Sequence, residues 1–137
     1  MRALSAEWLL GLPVRLHGIR LGHPVDVLLD RADWRALGFA VRCGDDANRF
    51  LAWATVTVGD DELMVASAFM LLEDIDFYRS RSRSLRSLRG AETPFGPVGD
   101  LLLAEDGTVI AVVAGDRRVR PDEVRFASTP EPSASGW

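Results

Sequence analysis

Gly22-His23-Pro24-Val25-Asp26-Val27-Leu28-Leu29-Asp30 is the stretch whose reading decides the fold. A glycine frees the backbone, an acid follows four residues later, and three aliphatic residues continue the run. The pattern returns as Gly96-Pro97-Val98-Gly99-Asp100-Leu101-Leu102-Leu103, with glycine and aspartate both displaced by 74 residues (22 to 96, 26 to 100). The shared spacing points to a strand-forming unit used twice. Gly22, Asp26, Gly96 and Asp100 are read as structural turn residues. An aspartate beside a turn commonly accepts backbone or arginine hydrogen bonds that fix a hairpin.

Working outward, Ser5 is a cap for a short helical turn through Trp8, Leu9 and Leu10. Val14 and Leu16 alternate with Arg15 as in a half-buried strand. Pro24 lacks an N–H and fits only near a strand start or at a sheet edge. Ala36 to Val41 forms the second arm of a hairpin. Gly44-Asp45-Asp46-Ala47-Asn48 is a polar turn, followed by extended pieces at Arg49–Trp53, Thr55–Val58 and Leu63–Val65. Five or six short strands within about 55 residues suit a small antiparallel barrel or sandwich. A shorter second round starts at Gly90, the counterpart of Gly11. It runs through the Gly96 turn, Val98–Leu103, the Asp106-Gly107 hairpin signal and Ile110–Val113, which matches Leu37–Val41. The two rounds fit either two small barrels or two halves completing one core. Neither half alone would bury much surface.

These residues carry a resemblance. Gly11, the Leu21-Gly22-x-x-x-Asp26-Val27 turn and strand, Leu37-Gly38-Phe39 and Phe50-Leu51-x-Trp53 resemble the PRC-barrel family. That family comprises small β-barrels found in the photosynthetic reaction centre H subunit, in the C-terminal domain of the ribosome maturation factor RimM and as stand-alone prokaryotic proteins. The resemblance implies an all-β fold of PRC-type barrel units. A full copy spans 10–72, an acidic-then-basic connector 73–89 and an abbreviated second copy 90–126, which can pack with the first. The family motif carries no catalytic residues. Where the family has Pro-Phe or Pro-Trp, this chain has Ala52-Trp53, while Pro121 keeps the proline in the second round.

The 137 residues are 47% hydrophobic and 26% charged, enough for a packed core. The net charge is −4, and every basic residue is Arg. Residues 1–78 carry −5, 79–89 carry +5 and 90–137 carry −4. Positive charge is therefore concentrated in Arg79, Arg81, Arg83, Arg86 and Arg89, whose alternation with serine favours an extended or flexible segment. Two readings stay open for this run. It can grip nucleic-acid phosphates, with Tyr78 and Phe77 stacking on a base. Alternatively it pairs with Glu73, Asp74 and Asp76, within the chain or across a dimer. Trp34, in a turn between strands, is the tryptophan expected to be most exposed and a candidate anchor for self-association, the alternative being a ring folded back over the barrel end.

Other chemistry finds little support. His17 and His23 lack a clear third ligand, Asp26 being the one conceivable partner. Cys43 is alone, which excludes an internal disulfide and suits a reduced compartment. No nucleophile elbow, phosphate loop or dinucleotide fingerprint is present. No apolar run approaches the roughly 20 residues of a membrane span. Ser, Thr, Pro, Glu and Gly dominate from 128 onward, so a disordered tail is expected over 127–137. The expectation is a non-enzymatic cytoplasmic adaptor or assembly module that binds a protein partner as a homodimer and needs no cofactor. RNA or ribosome-associated binding through the arginines is the first alternative. A small ligand or enzymatic use of a barrel-end pocket is the second.

Overall fold

A computed structural model of the chain describes residues 3–124, and most of the ordered backbone in it is β-strand. The expected tail over 127–137 and the last two residues of the expected second copy, 125 and 126, lie outside the described residues.

Leu4–Ser5 forms β1, and Ser5 then caps helix α1, Ala6–Leu10, accepting a hydrogen bond from the Trp8 amide at 3.2 Å. Ala6 and Leu9, three apart on one helix face, are buried. β2 (Val14–Leu16) and β3 (Ile19–Asp30) make a hairpin around His17 and Gly18, both with positive φ. β4 (Ala36–Cys43) and β5 (Asn48–Ala52) extend the meander. β6 (Val56–Val58) and β7 (Leu63–Val65) form a further hairpin, and β7 runs parallel to β2. After β8 (Leu71–Leu72) come helix α2 (Ile75–Ser80), β9 (Ser82–Ser84) and helix α3 (Leu85–Leu88). The chain continues with β10 (Glu92–Thr93), β11 (Gly96–Leu103), β12 (Val109–Ala114) and β13 (Arg117–Val119).

Among the described residues these strands form two sheets. One is ordered β6-β7-β2-β3-β4-β5-β8, with β9 also on β3. The other is ordered β1-β11-β12-β13, with β10 also on β11. Neither order returns to its first strand, so neither sheet closes into a barrel. The pairing crosses the chain. β1, from the N-terminus, lies on β11, while β9, from the middle of the chain, lies on β3. One apolar core takes residues from both sheets, among them Leu9, Val27, Phe39, Leu51, Leu101 and Val112. A seam joins the sheets where the Ala36 amide donates to Gly107 O at 2.7 Å and the Val109 amide to Trp34 O at 2.9 Å.

The stretch 22–30 differs from its reading in two ways. Gly22 is not in a turn; it lies within β3, opposite Val14 and Cys43, and the turn falls earlier, at His17–Gly18. A Cβ on Gly22 would sit 2.3 Å from the Arg42 carbonyl oxygen, so close strand approach is what requires glycine. Gly96 does take a turn conformation, with φ 118° against Gly115. Pro24 lies mid-strand, but β2 has ended at Gly22 and β9 begins only opposite Leu28, so one side of β3 is locally unpaired there. A bulge at Val25 breaks the β4 register on the other side. The missing N–H therefore leaves no regular ladder bond unmade.

Residues 79–89 also differ from expectation. Only Ser82–Ser84 is extended; the flanking arginines sit on or beside α2 and α3, and Ser82, Leu85 and Leu88 are buried. Three apolar or small side chains facing inward bind this stretch to the fold, so it is not a loose connector.

Candidate functional site

Asp26 and Asp100 occupy matching surroundings. Each follows a bulge residue, Val25 in β3 and Gly99 in β11. Asp26 is 8% exposed and accepts hydrogen bonds from the Ser84 hydroxyl, the Arg86 amide (3.1 Å) and the Val27 amide (2.9 Å). Asp100 accepts from the Ser5 hydroxyl, the Glu7 amide (2.9 Å) and the Leu101 amide (2.8 Å). In both cases the serine is the residue before a short helix, and the bonded amide is that helix's second. An α-helix leaves its first amides without internal partners, and the aspartate supplies the acceptor from a different sheet strand. Both carboxylates thus hold a helix start onto a strand; neither sits beside a hairpin turn as expected, since Asp26 lies within β3 and Asp100 within β11.

The serines went unrecognised as a pair in the sequence. The signal is present: Ser5 and Ser84 each precede a glycine by six residues, Gly11 and Gly90, and each is followed by buried residues one and four positions on. Seven residues of mixed character are too short a pattern to stand out without the contact to aspartate.

The arginines are distributed, not clustered on one ligand. Among the described residues none of Arg79, Arg81, Arg83 or Arg86 lies within ion-pair distance of an acid, and Glu73, Asp74 and Asp76 are not their partners. Arg89 instead meets Glu7 at 3.3 Å, tying the end of α3 to the start of α1. Arg81 lies over the Phe77 ring at 3.8 Å and Arg83 over the Trp34 ring at 4.9 Å. Arg83 Nε is buried without a hydrogen-bond partner.

Two aromatic expectations change. Tyr78 is stacked face to face on Phe50, ring centroids 3.8 Å apart, so that face is closed to a base. Trp34 is only partly exposed and packs against the core at the inter-sheet seam. Trp8, at 40%, is the more exposed of the two, because only one face of its short helix reaches the core.

The turn acids behave as solvated loop builders. Asp30 accepts from the amides of Ala32 (2.7 Å) and Asp33 (3.1 Å), which holds its carboxyl below the ordinary range. The forked pairing of Arg49 with Asp45, helped by the Ala47 amide, lowers Asp45 to about 2. Asp106 is lowered by the Thr108 amide. Cys43 is buried and unpaired. Among the described residues no three His, Cys, Asp or Glu side chains gather as a metal site, and His17, His23 and Asp26 are not brought together. No helix is long and apolar enough to cross a membrane, again among the described residues.

A cavity of about 250 Å³ lies beside Trp53, which stacks on Phe39 with centroids 5.5 Å apart. The Trp53 indole donates to Glu105 O at 2.9 Å, and the cavity is lined by apolar residues, Phe39, Trp53 and Val56 among them, together with the polar Thr57 and Glu105. No family model matches the sequence, and comparison with curated proteins finds no match. The class defined by fold and site is an all-β chain of two interlocked sheets, in which Asp26 and Asp100 each hold a helix start onto a strand.

Proposed function

We propose that the chain is a non-enzymatic adaptor or assembly module that binds a protein partner, acts as a homodimer and works in a reduced, cytoplasmic setting. The observation that carries this reading is the engagement of Asp26 and Asp100. The acids Asp26 and Asp100 already accept hydrogen bonds from backbone and serine. Large apolar side chains meanwhile face solvent, including Phe69 at 90%, Ile19 and Phe77. Such surfaces mark contact sites when they are rimmed by polar residues.

The PRC-barrel resemblance belongs to the same reading. The matched bulges and matched aspartate–serine contacts support two related units that have exchanged their N-terminal segments, giving barrel-like halves around one core. Affinity capture with the full chain from its native host tests the function. A stoichiometric protein partner is expected; substrate turnover abolished by a single change in a cavity would overturn the adaptor reading.

A second reading, RNA binding through Arg79, Arg81 and Arg86, is favoured by one observation: these guanidiniums are exposed and without acidic partners among the described residues. Filter binding across a salt series, with R81A/R83A/R86A alongside wild type, separates the two. Affinity that falls with salt and with those substitutions supports nucleic acid.

A further inference from the structure

We propose that the groove between the free edges of β1 and β6 binds an extended, apolar segment of a partner protein as an added strand. The proposal rests on the adaptor reading and assigns its contact surface.

β6 ends its sheet on one side, and β1 ends the other sheet. The cavity beside Trp53 touches Leu4 of β1 and three consecutive residues of β6, Val56, Thr57 and Val58. Successive strand side chains point to opposite faces. A cavity that meets all three therefore meets β6 along its edge. Among the described residues the backbone on that edge is unpaired. Leu63 gives its amide to Pro13 O at 2.8 Å, on the β2 side, so it exchanges no bonds with its opposite number Val58. The N–H and C=O of Val58 consequently point away from β7, into the groove.

The side-chain environment fits the same occupant. Phe39 and Trp53 line the cavity beside the polar Thr57 and Glu105, and it is large enough for one bulky side chain and too small for most drug-sized ligands. Leu4 also borders the adjoining depression, where Trp8 is 40% exposed and Asp60 stands at the rim. An incoming strand places alternate side chains into such pockets while its backbone bonds to the open edge. The expected ligand carries an aliphatic or aromatic residue for the Trp53 cavity, a second for Trp8, and an Arg or Lys near Asp60.

The test uses the full chain and a random peptide library displayed on phage. Selected peptides should alternate apolar residues, include a basic residue, and protect the Val58 amide from hydrogen exchange. Val58→Pro removes the outward N–H without touching the β7 ladder, a position where an edge strand tolerates proline. It should weaken the selected peptides by at least about ten-fold. Thr57→Arg, at an exposed position that fills the groove, should do the same and covers a folding failure of the proline variant. Peptides that bind both variants as well as wild type overturn the proposal. So does Val58 protection that rises with protein concentration in the absence of peptide, which would seat a second copy there. A host partner captured equally by wild type and Val58→Pro overturns the groove while leaving the adaptor reading standing.

Discussion

Asp26 accepts three hydrogen bonds in a buried position, and its loss strands the Ser84 hydroxyl and the Arg86 amide without an acceptor. Asp26→Ala is expected to lower stability by about 2–4 kcal/mol, since bonds to a charged group contribute about 1.5–3 each and orphaned donors add to the cost. Asp100→Ala should cost less, because Asp100 is only partly buried. Urea denaturation of the two variants gives the comparison. The turn acids predict the acid limb of stability. Asp45 is lowered in the fold, so the folded state binds fewer protons than the unfolded chain at low pH. Its contribution is complete above about pH 4 and is lost as pH falls through the folded value of about 2. Asp45 is exposed, so the effect is small and screened by salt. Thermal unfolding from pH 5 downward should show a decline that Asp45→Asn reduces. At this scale the local spacing singled out Asp26 and Asp100 but not their surroundings, because their serine partners lie 58 and 95 residues away.

At the scale of elements, the strands demand glycine where backbones press together. A Cβ on Gly38 would lie 2.2 Å from Leu51 O and 2.8 Å from the Phe50 ring, between β4 and β5. Gly38→Ala is expected to cost about 1–3 kcal/mol or more through forced strand separation. Gly44→Ala, which meets nothing within 4 Å, serves as the neutral control in the same denaturation series. The arginine stretch makes a contrasting prediction. Arg79→Ala/Arg86→Ala should change stability by no more than about 0.5 kcal/mol, as expected for exposed side chains without partners. Arg83→Ala should cost more, because it removes packing on Trp34. Melting temperatures distinguish these outcomes. Val, Leu and Thr alternation made the strands legible. In the 79–89 segment alternating Arg and Ser hides the end of α2, which buries Ile75, and the whole of α3, which buries Leu85 and Leu88.

For the whole molecule, the crossed pairing of β1 with β11 and β9 with β3 makes each sheet depend on chain from the other half. Unfolding should therefore be a single transition, with near-UV and far-UV circular dichroism curves superimposing and both shifted by Asp26→Ala. Separate transitions for the two sheets would contradict the shared core. By itself the sequence determined the all-β class, which follows from local chemistry: β-branched and aliphatic residues alternating between polar turns. Only the tertiary structure decided that the two sheets exchange segments, that Gly22 is needed for strand approach, and that within the described chain the arginines do not pair with the acids before them. Those outcomes depend on which distant strands share an edge, and that is settled by burial of one common core.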